Sequence, residues 1–171
     1  MKTLLTGMLV VLLALALASC GGDKAAEELS EKVAGEAIGG DVEVDNDTVT
    51  ITTDEGEATI SGGDGALAEG FPEEFPIYDG ASVRASASVE TGGKTQYSAT
   101  LGTSDPVSDV YDWYKSELSS GGWTIENDMH ITTGEGESAV LSAKKSGMEA
   151  AATIAEDDGE TAIVITLIVE S

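Results

Sequence analysis

Between Ala81 and Val169 one stretch alone has a helical rhythm. Val107, Val110, Tyr111, Tyr114 and Leu118 recur at i, i+3, i+4, i+7 and i+11, which lines them up on one stripe of an α-helix. Asp105-Pro106 opens it, an acid that can cap followed by a residue pre-organised for the first helical position. Gly121-Gly122 closes it, and a left-handed Gly122 would fold Trp123 back on Leu118. Everything around this helix alternates. Ala81, Val83, Ala85, Ala87 and Val89 interleave with polar residues, Thr91 to Lys94 turns the chain, and Tyr97, Ala99 and Leu101 continue the pattern. Further strands are expected over Trp123 to Glu126 (extending towards Ile131), Ser138 to Lys144, Met148 to Ala155 and Thr161 to Val169. The last, "AIVITLIV", is apolar on both faces and so belongs centrally, under the helix. The small side chains of the strands leave room for the Tyr, Trp and Leu side chains of the helix and its end. The expected class is α+β: an antiparallel sheet with one main amphipathic helix packed on one face.

A smaller unit is expected ahead of it. Asp23 to Ile38 is rich in Ala and Glu, with Leu29, Val33 and Ala37 on a thin apolar stripe, and Gly39-Gly40 ends it. Val42/Val44, Val49/Ile51 and Ala58/Ile60 then read as a three-strand meander with polar turns. The expected division is a signal peptide over 1–19, a lipidated terminus over 20–22, helix plus meander over 23–61, a Gly/Pro-rich linker over 62–75 and the α+β domain over 76–171. The segments Ile38 to Ser61 and Ser120 to Ser142 share an order: Gly-Gly, strand, Asn-Asp, strand, Ile-Thr-Thr, Glu-Gly-Glu, strand, Ser. That order suggests two copies of one unit.

The chain holds a single cysteine, Cys20, so no internal disulfide is open to it. Met1-Lys2 gives a charged start, Leu4 to Leu17 is almost unbroken apolar sequence, and Ser19 is small. This is the layout of a secretory signal peptide with a small-residue cleavage site, and the run is short for a bilayer span of about 20 residues. Leu17-Ala18-Ser19-Cys20 resembles the lipobox of bacterial lipoproteins at all its positions. The resemblance implies a diacylglycerol on the Cys20 thiol, cleavage before it and acylation (palmitate, for example) of the new amino terminus. Such multiple chains would hold the protein firmly on a membrane, on the extracytoplasmic side of the cell envelope. Gly21 after Cys20 resembles the outer-membrane sorting pattern, should the host have two membranes.

Eight Lys and Arg stand against 32 Asp and Glu, a formal net charge of −24. Such a surface repels nucleic acid and anionic head groups and favours cations or a basic partner. No catalytic constellation emerges. His130 is the only histidine, and it lies out of phase with Met129 and Ile131, on the polar face of a strand or in a turn. No serine sits in a strained Gly-x-Ser-x-Gly turn. The carboxylate pairs Glu73-Glu74, Asp157-Asp158 and Asp45 with Asp47 all read as solvated turns or linker, and the calcium-loop spacing is absent. No cofactor and no resident metal is expected. Trp113 falls off the helix stripe and is the candidate partner contact; packing at the helix flank is the other reading.

"FPIYDGA" (Phe75 to Ala81) and the "YKSEL…GW" helix end (Tyr114 to Trp123) resemble segments of a loose set of bacterial secreted lipoproteins. That resemblance implies location and fold and brings no activity. The sequence therefore points to a membrane-anchored, non-enzymatic protein-interaction or accessory module in the envelope, with an envelope protein as partner. The alternative is a module binding a small ligand or a divalent cation.

Overall fold

A computed structural model describes residues 40–45, 48–53, 56–62, 65–134 and 136–170. The signal peptide, Ser19, Cys20 and the expected helix over 23–38 lie outside them. Strands β1 (Asp41–Asp45), β2 (Thr48–Thr53), β3 (Gly56–Gly62), β4 (Ser82–Thr91) and β5 (Lys94–Thr103) precede the helix α1 (Val107–Ser120). Strands β6 (Thr124–Thr133), β7 (Gly136–Lys145), β8 (Met148–Asp157) and β9 (Glu160–Glu170) follow it.

The expected fold class needs correction. Among the described residues the strands form one sheet of nine, in the order β1-β2-β3-β4-β5-β9-β8-β7-β6, so this part of the chain is mostly β. No separate meander unit precedes an α+β domain: β3 pairs with β4 from Gly56↔Thr91 to Gly62↔Ala85. The reason is backbone satisfaction. The outer edge of a lone meander leaves a row of N–H and C=O groups unpaired, and β4 supplies their partners. The connection between β3 and β4, read as linker, is also part of the core. Phe71 and Phe75 are buried in it, and the Ala68 N–H donates to Ser86 Oγ at 2.9 Å.

The helix carries the chain from β5 to the far edge of the sheet, and β6 to β9 return until β9 pairs with β5. Strand β9 is interior as expected from its apolar faces, but α1 lies over β6, β7 and β8. Its end dictates this. The Trp123 N–H bonds Leu118 O at 2.9 Å and the Gly121 N–H bonds Glu117 O at 2.8 Å, with Gly122 at φ +80°. This is the glycine-terminated cap that folds Trp123 onto Leu118, and β6 starts at the next residue. Ala139, Ala143, Ala150 and Ala152 on β7 and β8 make space there for Tyr114 and Leu118, all buried.

The sheet changes its apolar face along its width. On β5, β9, β8 and β7 the buried residues, such as Leu101, Ile163, Ile165 and Leu141, join the core with α1. On β1 to β4 the register aligns Val42, Ile51, Ala58 and Val89 in one row, and Val49, Ile60 and Ala87 in the next. Ala87 and Val89 stand opposite Ser98 and Gln96 of β5, residues on the face away from the helix, since opposed residues share a face.

The repeated sequence is repeated structure at its hairpin. Thr53↔Gly56, Ile51↔Ala58 and Val49↔Ile60 match Thr133↔Gly136, Ile131↔Ser138 and Met129↔Val140. Thr53 Oγ1 donates to Gly56 O, and Thr133 Oγ1 to Gly136 O, each at 3.2 Å. The strands β2 to β5 and β6 to β9 run in mirrored order and meet at the antiparallel β5–β9 pair. The copies differ at Asn-Asp: in the first it falls between β1 and β2, in the second it stays within β6, beside a register shift between Ile125 and Asn127.

Candidate functional site

The aromatic residues gather where α1 meets the entry segment before β4. Phe75 lies edge-on to Trp123, ring centroids 5.5 Å apart, and 6.1 Å from Tyr114. Tyr78 meets Trp113 at 5.1 Å and Tyr114 at 6.4 Å. Trp113 is half-buried, edge-to-face on Tyr114 at 4.9 Å, so its ring packs at the helix flank and shows part of its surface. Trp123 Nε1 donates to Glu74 O at 3.1 Å, tying the entry segment to the helix end.

Tyr78 donates to Asp105 at 2.8 Å, and burial, with that carboxylate second, pushes its pKa up to about 12. Asp105 thus holds Tyr78 and does not cap α1, which starts after Pro106 with no side-chain cap bond. The Tyr114 hydroxyl is buried with no partner in hydrogen-bond geometry. The Tyr78 backbone N–H is close enough to lower its pKa slightly, but burial dominates and pushes it well above the ordinary value. An unmet buried hydroxyl costs about 1–3 kcal/mol. Tyr114→Phe is therefore expected to stabilise the fold by about 1 kcal/mol in urea unfolding; an equal loss would mean the hydroxyl has a partner.

A second cluster joins α1 to the edge strand. Lys115 Nζ lies 2.6 Å from Asp128 and donates to Tyr111 Oη at 3.2 Å; Tyr111 in turn donates to Asp128. His130 rests on the Tyr111 ring at 4.7 Å, with Nε2 2.5 Å from Glu137. His130 lies on the polar face of β6, out of phase with Met129 and Ile131, but that face is the helix side, while Met129 and Ile131 are exposed on the other. The inner side of an edge strand met by Tyr111 and Lys115 needs polar residues, and that decides which side faces in.

Lys115, then Tyr111, hold the Asp128 carboxyl below its ordinary pKa. A depressed folded-state pKa stabilises above the unfolded value and is lost as pH falls through the folded one. The stability difference between wild type and Lys115→Met should therefore be positive at neutral pH and shrink below about pH 4. Urea midpoints across the acid range check this; a constant difference would exclude the coupling. Sequence spacing does not reveal this cluster, because only the Tyr111/Lys115 separation of one helical turn is local.

The remaining candidates stay apart. Asp157 and Asp158 sit at the exposed β8–β9 turn, Glu73 and Glu74 are exposed, and Asp47 and the side chain of Asp45 lie outside the described residues. Among the described residues no three His, Cys, Asp or Glu gather as a metal site, and no helix is long and apolar enough to cross a membrane. A cleft of about 290 Å³ opens beside the β7–β8 turn. Lys145 reaches from it over the Trp123 ring at 5.9 Å, while Lys144 is held by Glu149 and Glu126 at 3.1 and 3.3 Å.

Residues 83–161 match the START domain-like family model. The START-like segment runs from β4 to the start of β9 and includes α1, and it is compatible with a ligand-binding module. No curated protein and no solved structure matches the chain. In this chain the space between α1 and the sheet is occupied by its own side chains: Phe75, Tyr114, Leu118 and Trp123 are all buried there.

Proposed function

We propose that the chain is an envelope lipoprotein, anchored on the extracytoplasmic side through a lipid on Cys20, that works by contact with another protein and not by turnover. One observation supports contact above the others. The interior gripped between helix and sheet is filled by Phe75, Tyr114, Leu118 and Trp123, which leaves recognition to the surface. The face away from the helix offers it: Ser98, Thr100, Val164, Thr166, Ala151 and Thr153 lie across from one another in register, a neutral field in a chain of net charge −24. The anchor rests on Leu17-Ala18-Ser19-Cys20 at the end of the apolar run. In a host with two membranes the site is the outer membrane; with one, its outer face.

Membrane fractionation with intact mass tests the anchor. Wild type should pellet with membranes and carry acyl mass on a terminal Cys20, and Cys20→Ala should lose both. Soluble wild type with a free Cys20 thiol would contradict it. The START-like match is compatible with a second reading, a ligand-binding module, whose ligand is a small molecule or, given the net charge of −24, a divalent cation. Its mark is a thermal shift with calcium that persists in added monovalent salt, since screening alone would be reproduced by salt.

A further inference from the structure

The two edges of the sheet are unlike. β1 is five residues long, with an acid at each end, the short charged edge that resists strand addition. β6 is ten residues long, ends the strand order on the other side, contains neither Lys nor Pro, and turns Met129 and Ile131 outward at 44% and 43% exposure. No described strand lies beyond it in the sheet. The internal repeat shows what such an edge accepts. In the matching hairpin, β1 lies antiparallel on β2 with Val42 across from Ile51 and Val44 across from Val49. Ile51 there is 6% exposed, whereas its counterpart Ile131 is 43% exposed.

We infer that β6 is a strand-addition interface whose occupant is β6 of a second copy of this chain. Self-complementarity selects that occupant. A two-fold axis at Met129 makes the pairing antiparallel, as everywhere else in the sheet. It sets Asp128 of each copy opposite His130 of the other on the helix side. On the opposite side the two Met129 side chains meet, flanked by the two Ile131 side chains, as one apolar cluster. Such an isologous contact closes on itself and ends assembly at the dimer. The high negative charge opposes association at low ionic strength, and salt screens that repulsion. The inference goes beyond the contact reading above and depends neither on it nor on the anchor.

The test uses the full chain in detergent with Cys20→Ala, so that no native thiol remains. Met129→Cys in this background should form a disulfide-linked dimer on mild oxidation. Val164→Cys, 42% exposed on the same face but on interior strand β9, should not. Sedimentation should show dimerisation strengthening at least about ten-fold from about 0.05 to about 0.5 M NaCl. Ile131→Lys, with circular dichroism unchanged, should weaken it by at least about ten-fold. A monomer at every salt concentration, or equal crosslinking by the Met129→Cys and Val164→Cys variants, would overturn the inference. So would a disulfide adduct of the Met129→Cys variant to a different polypeptide without homodimer, although that result leaves the contact reading standing.

Discussion

Trp123→Ala should lower the unfolding free energy by about 3–5 kcal/mol, the usual cost of truncating a buried aromatic. The side chain is 4% exposed and joins three things at once. It stacks edge-on with Phe75, folds on Leu118 beyond the helix end, and donates its indole N–H to Glu74 O. Alanine leaves a cavity between α1 and the entry segment that neither can close, because Gly121-Gly122 fixes the exit of the helix. At roughly 2–4 °C per kcal/mol for a chain of this size, the melting temperature should fall by roughly 10 °C. Trp113→Ala, which removes a half-buried ring, should cost about half as much or less. Circular dichroism during urea and thermal unfolding reads both variants. Equal losses would mean that the helix end is not the keystone of the core.

Gly56→Ala should cost on the order of 3 kcal/mol, and Gly136→Ala about 1–2 kcal/mol. Both glycines hold backbone conformations that side chains rarely adopt, at φ +151° and +144°, so both substitutions incur the same strain. Their surroundings differ. A Cβ at Gly56 would run into the backbone oxygen of Glu90 on β4, whereas at Gly136 it meets only Glu156 Oε2 at 3.6 Å. The difference measures the β3–β4 junction that joins β1 to β3 to the rest of the sheet. If the two variants unfold alike, β4 does not approach Gly56 as described.

The local features are legible in the sequence and the assembled ones are not. The stripe from Val107 to Leu118, the glycine stop and the return of Trp123 to Leu118 all depend on residues within a few positions of one another. The hairpins announce themselves by alternation and turn residues for the same reason. The union of β3 with β4 spans the segment from Gly62 to Ser82, and nothing in the alternation of either strand names its neighbour. Glycine and proline there point to a linker, but Phe71 and Phe75 carry that segment into the core. The face of β6 misleads because an apolar phase normally marks the buried side. On an edge strand whose inner side meets Tyr111 and Lys115, the phase marks the open side. Asp105 has the right chemistry for a cap, but a tyrosine 27 positions earlier in sequence takes its carboxylate.

The most direct test of the account is crosslinking in intact cells between differently tagged copies and whatever lies beside them, wild type against Cys20→Ala. The account predicts a stoichiometric polypeptide adduct with the anchored protein, lost or strongly reduced when the anchor is removed, because tethering raises the local concentration. No polypeptide adduct with either form, together with a defined turnover that disappears on changing His130 or the Asp157-Asp158 pair, would contradict it.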